Sequence, residues 1–155
     1  MEFLRRLSLL TIFVLGITIA LTIVLPALNY QDLQYTGLDI GFGKTLVDID
    51  VFGLGTIVNA ELPVSYFVLF AYGLPIIAGV IAMISKPLRI VSLVLFIVAF
   101  VLFISLPNTI NIVYTIAGSE STAEVDWQIA YGVISALVLL GMTIVFNMFV
   151  VLFIE

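Results

Sequence analysis

The side chains best able to do chemistry gather in one stretch, GLDIGFGKTLVDID, which holds Asp39, Lys44, Asp48 and Asp50. Carboxylates brought to one side of a strand pair suit a hard cation such as calcium, which takes about 6–8 oxygen ligands. Asp39, Asp48 and Asp50 are therefore the candidate cation ligands. No D-x-D-x-D-G loop with a terminal Glu accompanies them, and hydrated strand acids explain the same spacing. The chain has no histidine and no cysteine, which removes thiol catalysis, thiolate metal sites, disulfides and the usual neutral-pH proton shuttle. The glycine-rich GLDIGFGK lacks the helix that follows the Lys of a phosphate-binding loop, and no Ser and Lys form a local nucleophile pair. No catalytic residue, metal site or cofactor is assigned, and the chain is not expected to be an enzyme. A net charge of −5 argues against nucleic acid as a partner.

Extended elements must position these acids. In TLVDIDVF, Val47, Ile49 and Val51 share one side of a strand while Leu46, Asp48, Asp50 and Phe52 share the other. Leu38, Ile40 and Phe42 alternate with Asp39, Gly41 and Gly43 just before, and Gly41 to Lys44 supplies turn residues between the two runs. TIVNA, at 56–60, is a third short run. The pattern predicts an antiparallel hairpin or three-stranded sheet within 29–63, with Asp39 across the strand pair from Asp48 and Asp50.

The rest of the chain is mostly hydrocarbon. Of 155 residues, 63% are hydrophobic and 10% charged, against about 45–50% and about 25% in soluble domains. Four runs, about 7–28, 64–85, 88–106 and 128–154, are free of Asp, Glu, Lys and Arg beyond their first turns. Each approaches or exceeds the roughly 20 residues that cross a bilayer core, and all are apolar on every side, which fits helices and not barrel strands. The expected fold is an all-α integral membrane protein, a single four-helix unit over 1–155 with a small sheet in its first outer loop. The first run, with an apolar core of about 22 residues, is read as a retained span, since a cleaved secretory signal carries about 7–15.

Four of the five basic residues, Arg5, Arg6, Lys86 and Arg89, flank the first run or sit in the turn between the second and third. The excess of bases there predicts cytoplasmic chain ends in a plasma or cytoplasmic membrane, with outer loops at 29–63 and 107–127. Those loops carry Asp32, Asp39, Asp48, Asp50, Glu61, Glu120, Glu124 and Asp126 against Lys44 alone, a net of minus seven. The interiors of the spans hold no ionisable side chain, so a proton-coupled transporter or voltage sensor is not expected.

Small residues four apart mark helix faces able to pack closely: Gly16 with Ala20, Ala78 with Ala82, and Gly132 with Ala136. Asn147 lies well inside the fourth run and is expected to bond another helix. Pro75 should kink the second span, with Gly73 nearby giving room. After Pro107, Ile110, Val113, Tyr114 and Ala117 fall on one helical face, which predicts a bent continuation of the third helix or a short surface helix.

The plan of four spans, a short inner turn, a larger strand-bearing first outer loop and a smaller second one is similar to that of claudin-like and tetraspanin-like proteins. The likeness covers topology over the whole chain. The claudin Trp-Gly-Leu-Trp pattern with paired cysteines and the tetraspanin Cys-Cys-Gly are absent, so no functional residue carries over. The expected function is a non-catalytic structural or accessory subunit of a larger membrane assembly, its partners being lipids and other membrane subunits. Two alternatives are a self-associating scaffold, contact or cation-selective pore protein, and a small transporter or lipid-binding protein.

Overall fold

A computed structural model describes residues 2–30, 32–50 and 56–154. The part of the strand pattern that falls on Val51, Phe52 and Gly53–Gly55 lies outside them. In chain order the elements are α1 (Glu2–Leu21), β1 (Pro26–Tyr30), β2 (Leu33–Thr36), α2 (Gly37–Phe42), β3 (Lys44–Asp50), β4 (Thr56–Leu62), α3 (Tyr66–Ile84), α4 (Leu88–Ser105), β5 (Asn111–Ile116), β6 (Ser119–Glu124), β7 (Gln128–Ile129) and α5 (Tyr131–Phe149). Tighter 3-10 turns extend α1 to Val24 and α4 to Thr109, and a wider π turn carries α5 to Ile154. The four long helices, with these turns, are long and apolar enough to span a membrane.

The long helices close a ring, α1 against α3, α3 against α4, α4 against α5 and α5 back against α1. Ile12, Ile19, Tyr72, Phe96, Phe103 and Leu140 fill its centre, where the Tyr72 and Phe103 rings meet edge to face at 4.7 Å. Two sheets sit together at one end. One has the order β2-β1-β7 and the other β3-β4-β5-β6, with every pairing antiparallel. Trp127 ties them to the bundle: its indole N–H donates to the Ile110 carbonyl at 2.8 Å, and its ring meets Tyr30 and Tyr35 edge-on.

Several boundaries differ from the sequence reading. The fold is mainly helical but not all-α, since among the described residues seven strands form two sheets. The first helix ends at Leu21, not near residue 28, because the chain turns extended at Leu25 (ψ 156°) ahead of Pro26. The fourth helix starts at Tyr131, after Gln128 and Ile129 have paired with Asn29 and Leu28. The segment after Pro107 is neither a helix continuation nor a surface helix beyond one 3-10 turn. It is the β5-β6 hairpin, which adds two strands to the sheet begun by β3 and β4. Its two-residue turn, Ala117-Gly118, has φ of 48° and 83°, the doubly positive pairing that matches strand twist.

Leu38, Ile40 and Phe42 do not form a strand, and Gly41 to Lys44 is not the hairpin turn. Gly37–Phe42 is the short helix α2, whose start carries a reciprocal cap between Thr36 and Asp39. Gly43, at φ 83°, then turns the chain into β3. A side chain at Gly43 would stand 2.9 Å from the Leu62 carbonyl oxygen, so only glycine lets the two segments approach this closely.

Candidate functional site

The three candidate cation ligands do not form a cluster. Asp39 is on α2, not across the strand pair from Asp48 and Asp50. One of its carboxylate oxygens accepts from the Thr36 backbone N–H and hydroxyl, both at 3.0 Å, and the other lies 3.0 Å from Lys44 Nζ. Burial raises its pKa, but the bonds from Thr36 and Lys44 outweigh that and hold the carboxyl below its ordinary value of 3.8. Asp39 is therefore a satisfied helix cap. Asp48 and Asp50 pair through their backbones with Asn59 and Thr56, and their side chains lie outside the described residues. Among the described residues no group of three or more acids, histidines or cysteines is placed to hold a metal.

The larger sheet is two-sided. Directly paired residues share a side, so Thr45, Glu61, Val113 and Thr122 form one row across all four strands, flanked by Asn59, Thr115 and Glu120 and by the pair Asn111 and Glu124. The opposite side carries Val47, Ala60, Tyr114 and Ser121, with Leu62 and Ile112 against the core. That apolar side outruns what the bundle covers: Val47 and Ile116, toward its far end, are 43% and 51% exposed.

Three hollows follow the polar row where the sheet meets the ends of α3 and α4. One of about 220 Å³ includes Lys44, Thr45, Glu61 and Val64, one of about 240 Å³ includes Ser65, Thr109 and Thr122, and one of about 290 Å³ includes Asn108, Asn111 and Glu124. A larger hollow, about 800 Å³, lies elsewhere, on the outward flank of α4 and α5 between Phe100, Gly141, Met142 and Phe149. It is apolar and has no reactive group. The charged and amide side chains named here line the smaller hollows instead.

Inside the bundle the small residues have different tasks. Gly16 faces the Pro75 carbonyl oxygen, which stands 2.4 Å from where a side chain would begin, and Gly132 faces the Pro26 carbonyl oxygen at 2.5 Å. Ala78, Ala82 and Ala136 are fully buried, while Ala20 is half-buried at the edge of its seam. Asn147 is fully buried and its amide donates to Ser92 Oγ on α4 at 3.3 Å, whereas its Oδ1 has no partner among the described residues. Arg89 was not singled out for the interior. It is only 5% exposed, and its Nε donates to the Ala82 carbonyl at 3.3 Å, closing the turn between α3 and α4. The cue was its place in the first turn of an apolar run.

Comparison with protein-family models, with curated proteins and with solved structures returns no match for this chain. Function therefore has to be argued from the arrangement itself.

Proposed function

We propose that this chain is a non-catalytic subunit of a larger membrane assembly, crossing the bilayer four times and presenting its sheets to partner subunits on the outer side. The observation that supports this is the four-stranded sheet. It is built from both inter-helix segments and mounted on the helix ends. Strands β3 and β6 form its edges, and its apolar side is left partly uncovered at Val47 and Ile116. Open edges and uncovered apolar strand residues are liabilities in an isolated protein and docking surfaces in a complex. Charge supports the sidedness proposed: Arg5, Arg6, Lys86 and Arg89 gather at the end opposite the sheets, as the excess of bases on a cytoplasmic side would have it.

The test is extraction of a tagged chain from its native membrane in gentle detergent, followed by intact mass determination. Stoichiometric foreign subunits support the reading. A homogeneous homo-oligomer overturns it in favour of a self-associating scaffold, and a lone monomer overturns both.

A further inference from the structure

We propose that the free edge of β6 takes up an extended segment of a partner subunit as a fifth strand, one with Lys or Arg at two positions four residues apart and apolar residues between them on the other side of that strand. The proposal rests on the subunit reading above, and names the edge and the chemistry of what docks there.

Backbone geometry selects the edge. The two-residue turn at Ala117-Gly118 closes on the pair Ile116 and Ser119, and bonded and unbonded pairs alternate along an antiparallel ladder from such a turn. Ser119, Ser121 and Ala123 therefore direct their N–H and C=O groups at β5, while Glu120, Thr122 and Glu124 aim theirs outward. Among the described residues no strand pairs with β6 on that outward side, and all of β6 but Ala123 is exposed. The opposite edge is less suited, because the β3-β4 pairing is interrupted twice whereas β5 and β6 pair without a break. Bulges, proline and lysine are the usual means of blunting an edge, and β6 has none of them.

Side chains select the occupant. Glu120, Thr122 and Glu124 all project from the polar side of the sheet, and neither acid makes an ion pair among the described residues. A strand added here sets two of its residues, four apart and on one side, opposite the two acids, where Lys or Arg meets both. A second copy of this chain does the reverse. Using all three outward residues, it would set each Glu120 against a Glu124, and like charges directly opposite are destabilising. On the other side of the sheet, Ser119, Ser121 and Ala123 are small and leave Ile112 and Tyr114 half-buried and Ile116 51% exposed. Apolar residues between the two bases of the incoming strand lean over that step.

The experiment uses the full chain in lipid discs and three synthetic heptapeptides with blocked ends: Thr-Lys-Val-Thr-Val-Lys-Thr, its isomer with adjacent lysines Thr-Val-Lys-Lys-Val-Thr-Thr, and the acidic Thr-Glu-Val-Thr-Val-Glu-Thr. Titration followed by amide-resolved hydrogen exchange reads both affinity and place. The first peptide should slow exchange at Glu120, Thr122 and Glu124, leave Ser121 and Ala123 unchanged, and bind about tenfold more tightly than the acidic one and about threefold more tightly than its isomer. Replacing both acids, Glu120→Gln with Glu124→Gln, should erase these differences. Thr122→Pro removes an outward N–H but no bond to β5, so it should weaken binding while the hairpin persists. Equal binding of the three peptides, no slowing at the outward amides, or a preference that survives loss of both acids overturns the proposal. The peptide series needs no variant, so it decides even if a substitution impairs folding. A chain extracted from its native membrane as a lone monomer overturns the subunit reading, whereas equal peptide binding beside co-purified foreign subunits overturns this proposal alone.

Discussion

Gly16→Ala adds one methyl group and, with Gly132→Ala, should be among the costliest glycine-to-alanine changes in the four long helices. The new Cβ would lie 2.4 Å from the Pro75 carbonyl oxygen and 3.2 Å from its carbon. Both are backbone atoms on the facing helix, so no side-chain rotation relieves the clash. Ordinary contact requires α1 and α3 to part by about 1 Å, and a gap of 0.5–1 Å forfeits about a quarter to a half of each dispersion contact. That seam includes Ile12, Ile19, Leu74 and Ala78, all buried, and membrane helices are held together largely by such contacts. Overpacking of this kind costs about 1–3 kcal/mol, which for a chain of this size lowers Tm by roughly 4–8 °C at the 2 kcal/mol midpoint. Thermal unfolding in a fixed detergent or lipid disc measures it, with Gly73→Ala and Gly141→Ala as controls because a Cβ at either meets nothing within 4 Å. If Gly16→Ala melts no lower than Gly141→Ala, the close approach of α1 to α3 at Pro75 is wrong.

Three other perturbations test separate parts of the fold. Asn147→Leu and Ser92→Ala, combined in a double-mutant cycle, should show a coupling of about 0.6 kcal/mol and no more than about 1.7, as for other interhelical bonds in membranes; zero coupling refutes the 3.3 Å contact between them. Asp39→Asn should cost about 1 kcal/mol at pH 7 through the loss of its cap and ion pair. Because the folded pKa of Asp39 is lowered, its contribution is complete above the ordinary value near 3.8 and fades as pH falls through the folded value. Wild type and variant should therefore converge in acid, and a gap that stays constant to low pH refutes the assignment. Ala117→Gly should raise stability by about 0.5–1 kcal/mol, since Ala117 holds a φ of 48° that glycine adopts freely; destabilisation would mean the turn is not of this type.

The long helices were legible because their runs follow one rule throughout, apolar on every side and free of charge beyond the first turn, which only a helix of that length satisfies. The segments between them follow competing rules. GLDIGF alternates like a strand, yet Thr36 and Asp39 hold the Ser/Thr-x-x-acid spacing of a helix start, and the reciprocal bonds of that cap outweigh the alternation. In the second outer segment Ile110, Val113, Tyr114 and Ala117 do have helical spacing, but five of the six residues in NIVYTI are β-branched or aromatic, which is the stronger signal for a pleated surface. SESTAE shows no alternation at all. Its strand exists because Ala117 and Gly118 fold it back onto β5, and no reading of its own residues finds it.

The candidate site was harder to read for the same reason. Asp39, Asp48 and Asp50 looked like a set because period two was assumed to run through Gly43. Once Asp39 caps a helix and takes Lys44 as its partner, the set dissolves, and the next acid along, Glu61, is registered with Thr45 on the side of the sheet opposite Lys44, whose own strand partner is Leu62. What can be read locally is the glycine that brings the two segments together. A side chain at Gly43 would strain its φ of 83° and push against the Leu62 carbonyl, so Gly43→Ala should destabilise the fold by about 1–2 kcal/mol, read as a lower Tm in the same thermal assay. A Gly43→Ala variant that melts with wild type would refute the close approach of the α2–β3 turn to the end of β4, because a left-handed residue pressed against a backbone carbonyl cannot take a side chain without cost.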